Sequence, residues 1–185
     1  HLMRGNRTTK MNAENFNAFR SSNYPILAEA GIHIRFHRMH IHQYEEGRLL
    51  KVHTWLNSNI AVLKLFPGIQ ENVMAATLAI DGLKALVLET YGSGNAPSKP
   101  WFIRCLSEAC AKGIVIVNVT QCNAGTVEME RYNTGYQLLQ AGVVSGYDST
   151  TESAVTKLMF LIGHGYSPEE IRERMNHSLA GEITV

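Results

Sequence analysis

The chain is 185 residues long, 45% apolar and 18% charged, with a formal net charge of +1. This balance suits a globular domain with a core of its own and excludes the basic footprint of a nucleic-acid binder. No apolar run reaches the roughly 18 residues that a membrane-spanning helix needs, so no membrane partner is expected.

In chain order, His1-Leu2-Met3-Arg4 carries no apolar h-region, and no signal peptide is expected. Ala13 to Phe19 reads as a weak helix. Gly31 to His42 alternates Ile32, Ile34 and Phe36 against His33, Arg35 and His37, the pattern of a strand or extended arm. Gln43 to Leu50, with Glu45, Glu46 and Gly47, is polar enough to be a linker. This first part has too little apolar surface to offset the entropy of ordering it, so it needs something else to pack on.

From residue 59 onward strands and helices alternate. Asn59 to Phe66, Lys84 to Tyr91, Gly113 to Thr120 and Gly142 to Gly146 are short, nearly continuous apolar runs, as expected of parallel strands covered on both faces. Ile69 to Ala79 and Ser98 to Lys112 have helical spacing, the second with Ser98 as its expected cap and Pro100 in its first turn. Ser149-Thr150-Thr151-Glu152 reads as a capping box ahead of a helix that stops near Gly163 and Gly165. Ser167-Pro168-Glu169-Glu170 opens another helix. The expected fold is α/β, a small open and mainly parallel sheet flanked by helices. Residues 1–43 would be the tail of a preceding α/β domain, 44–58 a linker, and 59–185 the C-terminal α/β domain.

Four stretches invite chemistry. Gly5-Asn6-Arg7-Thr8-Thr9-Lys10 joins a turn to two hydroxyls and a lysine, which is either a polar loop or, in a desolvated pocket, a proton relay. Tyr91-Gly92-Ser93-Gly94-Asn95-Ala96-Pro97 lies between a strand and a helix, at the sheet edge where α/β proteins bind ligands. It is neither a Walker loop nor a full dinucleotide fingerprint, and it reads equally as a tight turn. Thr120-Gln121-Cys122-Asn123-Ala124-Gly125 follows the next strand and could present a hydroxyl, an amide or a thiol there, but with no His nearby to activate the cysteine it reads more readily as a polar loop with an inert thiol. Asp148, Ser149 and Thr150 are accounted for by helix capping and receive no catalytic role. His33, His37, His40 and His42 lack carboxylate spacing of any metal motif, so no metal is expected. Cys105, Cys110 and Cys122 are sparse and without CxxC spacing, which argues against a disulfide framework and for a reducing, cytoplasmic compartment.

Taken in order, Arg4 to Lys10, Glu29 to Arg35, Tyr91 to Pro97, Val119 to Cys122 and Ala141 to Ala154 resemble bacterial type I L-asparaginases, across essentially the whole chain. Members of that family are roughly twice this length. Their N-terminal domain carries a nucleophilic Thr in a Thr-Gly-Gly-Thr turn and a Thr-Asp pair, neither of which is found here. The resemblance implies hydrolysis of L-asparagine to L-aspartate and ammonia through an acyl-enzyme, with no cofactor. It implies that Lys10 is the lysine of a Thr-Asp-Lys trio. It also implies a homodimer or homotetramer, with Asn95 as a substrate contact at a subunit interface. A regulatory asparagine site in some relatives uses residues matching Thr9 and Cys122, plus an arginine where this chain has Glu89. A carboxylate cannot pair a ligand carboxylate, so little asparagine cooperativity is expected. Without the nucleophile's half, which would be a partner, the chain alone is expected to be inactive. The rival readings are a non-catalytic amino-acid-binding or regulatory module, and a structural oligomerisation domain.

Overall fold

A computed structural model describes residues 1–184. The first part is built from two short antiparallel pairs. Strand β1 (Thr9–Lys10) pairs with β2 (Phe19–Arg20), and β3 (Ala28–Ala30) with β4 (Ile34–Phe36). The helix expected over Ala13–Phe19 does not form. Asn12 Oδ1 accepts from the amides of Glu14 (2.8 Å) and Asn15 (3.1 Å), so asparagine side chains turn the backbone before a helix can start. The arm expected over Gly31–His42 is a strand only at its centre and ends in a 3-10 turn at Arg38–His40. The alternation expected over Gly31–His42 therefore stops at Phe36. Residues 43–59 carry no helix or strand.

The larger part is a parallel sheet in the order β5 (Ile60–Lys64), β6 (Ala85–Thr90), β7 (Val115–Thr120), β8 (Val144–Ser145). The connections run through α1 (Glu71–Leu78), α2 (Pro100–Ala111) and α3 (Asn133–Gln140), and the chain continues into α4 (Thr151–Gly163) and α5 (Pro168–Met175). Strands added in sequence order through right-handed crossovers put successive helices on one face. Met74, Phe102, Leu106 and Leu138 accordingly pack on Leu86, Leu88 and Ile116. The alternate residues Ala85, Val87, Val115 and Val117 face Ala154, Leu158, Leu161, Ile171 and Met175 of α4 and α5. Both faces of β6 and β7 are covered, which is why these strands read as continuous apolar runs, whereas the edge strand β5 leaves Val62 open. The expected α/β fold is the observed one.

Helix starts depart from expectation in two places. Helix α2 begins after Lys99, with no side-chain cap, and Pro100 fills its first position. At α4 the cap is Thr150, whose Oγ1 accepts from the Ser153 amide at 3.1 Å. Glu152 closes no reciprocal box there; its carboxylate accepts from Thr9 Oγ1 at 3.1 Å instead. The Ser167–Glu170 capping box forms with both of its bonds. Helix α3 escapes sequence reading because its only buried positions are Gly135 and Leu138, too few to make a stripe.

Candidate functional site

The carboxyl ends of parallel strands are where ligands bind in such sheets. A cleft of about 320 Å³ opens there, beneath the Thr9 side of β1. Its walls include Lys64 at the end of β5, Glu89 near the end of β6, Thr120 to Asn123 after β7, and Ser149 to Glu152 at the start of α4. The Glu89 carboxylate accepts from Thr151 Oγ1 at 2.7 Å and lies 4.0 Å from Lys64 Nζ. It therefore occupies the anion-favouring end of α4 itself. Thr9 is held to the same helix turn by Glu152.

Gln121 is turned inward. Its Nε2 donates to the carbonyls of Leu65 (2.6 Å) and Glu89 (2.9 Å) and ties β5 to β6. Cys122 is exposed at the cleft. Thr120 Oγ1 accepts from the Cys122 amide at 3.0 Å and donates to the Gly92 carbonyl at 2.5 Å, which joins the loops after β6 and β7.

Of the residues singled out from the sequence, Thr9, Glu89 and Cys122 converge on this cleft. Lys10 does not line it. Successive residues of a strand point to opposite faces, so Thr9 looks into the cleft and Lys10 away from it. The Lys10 side chain is exposed and makes no ion pair among the described residues. Asn95 also stands apart from the cleft. It closes a tight turn with Tyr91, each accepting the other's amide (2.9 and 2.8 Å), and its Oδ1 accepts from Thr134 Oγ1 at 2.9 Å. Gly94 permits that turn. Its φ is +108°, and a Cβ there would lie 2.8 Å from Val127 Cγ1.

Two residues that sequence reading passed over matter as much. Asn118 is fully buried on β7; its Oδ1 accepts from Thr90 Oγ1 at 2.6 Å and its Nδ2 donates to the Gly94 carbonyl at 3.2 Å. Arg7, only 2% exposed, forms a two-pronged pair with Asp148 at 3.0 and 2.5 Å. Burial alone would raise the Asp148 carboxyl. The Arg7 guanidinium and Thr184 outweigh it and hold the carboxyl below its ordinary range. Asp148 thus has a tertiary partner, where capping had seemed to account for it. An arginine in a polar run, between Asn6 and Thr8, gave no sign of burial, and the two partners are 141 residues apart.

Among the described residues no group of three or more His, Cys, Asp or Glu could hold a metal ion, and no helix is long and apolar enough to cross a membrane. His37 lies 3.8 Å from Glu29.

Residues 59–175 match the family model "Glutaminase/Asparaginase C-terminal domain", and residues 1–42 match "Asparaginase, N-terminal". L-asparaginase 1 of Escherichia coli K12 is 45% identical over 183 residues, covering 99% of this chain and 54% of that protein. The human 60 kDa lysophospholipase is 39% identical over 184 residues, 99% of this chain and 32% of that protein. The crystal structure of L-asparaginase I from Vibrio cholerae superposes with a TM-score of 0.90 at 40% identity, over 99% of this chain and 54% of the other. The chain thus spans about half the length of the bacterial relatives it matches.

Proposed function

The chain belongs to the asparaginase family, and from that premise we propose that it is the carboxy-terminal part of an L-asparaginase working in the cytoplasm. In this reading residues 1–43 complete the domain that carries the nucleophile, 44–58 link, and 59–185 form the C-terminal domain. A threonine supplied by the other half attacks the side-chain amide carbon of L-asparagine. The C–N bond breaks, ammonia departs with a proton, and water then cleaves the β-aspartyl ester to L-aspartate. Lys10 relays a proton and tunes the threonine hydroxyl. No cofactor takes part.

The observation that carries this reading is the division of labour across β1. Thr9 is engaged by α4, while Lys10 is exposed on the other side, free to meet a nucleophile brought by another segment. Apolar side chains left open in the same amino-terminal part are compatible with such a partner: Phe16, Ile32 and Met39 are almost wholly exposed. Asn95, on its rigid turn, is the proposed substrate contact from the second subunit of a homodimer or of a tetramer built from it.

The test is ammonia release from L-asparagine by the chain alone and after mixing with the separately expressed amino-terminal half of a relative. Activity in the mixture only is the expected result. A stable complex with no turnover would overturn the reading and favour an amino-acid-binding module.

The cleft lined by Thr9, Glu89 and Cys122 is the proposed regulatory site, altered by Glu89. Because the Glu89 carboxylate already takes the Thr151 hydroxyl, a ligand carboxylate entering there meets like charge. The active complex is therefore expected to follow a hyperbolic rate curve against asparagine. A sigmoidal curve that Cys122→Ala abolishes would refute this.

A further inference from the structure

Strand β1 is two residues long, and its partner β2 is exposed at both positions, so apolar packing does not fix where Lys10 sits. The anchor lies just upstream and is polar. Arg4 Nη1 donates to the Gly181 carbonyl (3.4 Å) and Asn6 Nδ2 to that of Ala180 (2.8 Å). Arg7 inserts its guanidinium between three elements. Nη1 donates to Asp148 Oδ1 and to the Glu182 carbonyl (2.6 Å), while Nη2 donates to Asp148 Oδ2, Thr184 Oγ1 (2.9 Å) and the Asn23 carbonyl (3.1 Å).

The receiving side is built to match. Asp148 accepts from the Thr184 amide at 2.8 Å. The residue before it, Tyr147, holds a left-handed φ of +54°, a conformation that costs free energy unless its surroundings enforce it. The tail that offers the carbonyls is itself pinned. The Glu182 carboxylate accepts from the amides of Leu179 and Ala180 and pairs with Lys157 Nζ at 2.7 Å, both side chains being 5% exposed. A planar fork with fixed donor directions sets orientation as well as distance, which a single ammonium cannot do.

We propose that Asp148 and the tail Ser178–Thr184 form a socket for Arg7 that positions Lys10 for proton transfer. These are positioning residues, three or more positions from the reacting group, and the proposal rests on the reading of Lys10 as the relay. The socket matters because a misplacement near 1 Å at a reacting group costs on the order of 100-fold in rate.

The first measurement is amide hydrogen exchange, resolved by segment, on the chain itself and on Asp148→Asn and Arg7→Lys. Exchange across residues 4–10 should become about tenfold faster or more, while β6 and β7 keep their protection. Unchanged exchange at 4–10 in both variants overturns the proposal, and so does loss of protection across the whole sheet in both. The second measurement is turnover by the active complex. Asp148→Asn should lower kcat about tenfold or more with KM held within about twofold, and it should add little on a Lys10→Ala background. An equal loss on both backgrounds overturns the coupling to Lys10. If Lys10→Ala itself leaves kcat unchanged, the relay reading fails and the proposal falls with it. That outcome is distinguishable, because the exchange result on the chain alone is then still positive.

Discussion

Lys10→Ala in the active complex is expected to lower kcat by about 10²–10⁴-fold, the range of a single positioned acid–base group. The same substitution in the isolated chain should leave its melting temperature nearly unchanged, because Lys10 is exposed and unpaired among the described residues. That separation of activity from stability is what identifies a group acting on the reaction. Lys10→Arg should be nearly as inactive as Lys10→Ala, since a guanidinium keeps its charge but does not release a proton at neutral pH. KM should move far less than kcat, because in the proposed relay the lysine acts on the developing bond and not on the resting amide. Full activity in Lys10→Ala would sink the proposed relay. A fall in melting temperature that matched the loss of activity would mark Lys10 as structural.

The second large effect concerns stability. Glu182→Ala should destabilise the chain by about 3–5 kcal/mol, because it leaves Lys157 charged and buried with no counter-ion. In a chain of this size that is a fall in melting temperature of roughly 10 °C or more, readable by differential scanning calorimetry. The double variant Lys157→Met/Glu182→Leu should recover part of this loss, because no isolated charge remains. Recovery stays incomplete, since the Leu179 and Ala180 amides and the His177 carbonyl still lose their partners. A fully additive loss in the double variant would show that the two side chains do not act as a pair.

The pair also predicts a pH dependence. Burial alone would raise the Glu182 carboxyl, but Lys157 and the tail amides outweigh it and the net direction is downward. For Lys157, burial pushes the ammonium downward and Glu182 offsets part of that. On the acid side the carboxylate governs. A carboxyl depressed in the folded state contributes stability that is fully present above its unfolded pKa, about 4.3, and is lost as pH falls through the lower folded value. Wild type should therefore lose stability below about pH 4 more steeply than Glu182→Gln.

Much of the fold was legible because it rests on local pattern. Continuous Val, Ile and Leu runs marked the strands, of which β6 and β7 are covered on both faces, and α2 had a clear stripe at Phe102 and Leu106. Ser167-Pro168-Glu169-Glu170 named its own helix start, since a capping box is satisfied by residues three apart. Where a competing partner existed, the same kind of reading failed. Glu152 was expected to cap its own helix but binds Thr9, 143 residues away. The helix expected at Ala13–Phe19 lost to asparagine side chains that bind nearby amides. Asn118 was hidden inside an apolar run, where one amide among valines gives no periodic signal.

The candidate site divides the same way. By itself the sequence determined the residue types available, the order of the motifs and their likeness to the asparaginases, because these depend on neighbours along the chain. That Thr9 and Lys10 face opposite ways follows from a strand's period of two, but the strand itself exists only through its pairing with β2. Only the tertiary structure decided that Thr9, Glu89 and Cys122 share one cleft, that Asn95 and Lys10 lie outside it, and that Arg7 meets Asp148. Each of these depends on contacts between residues tens to well over a hundred positions apart. Such contacts are set by how the sheet and its helices bring distant segments together, and no local pattern encodes them.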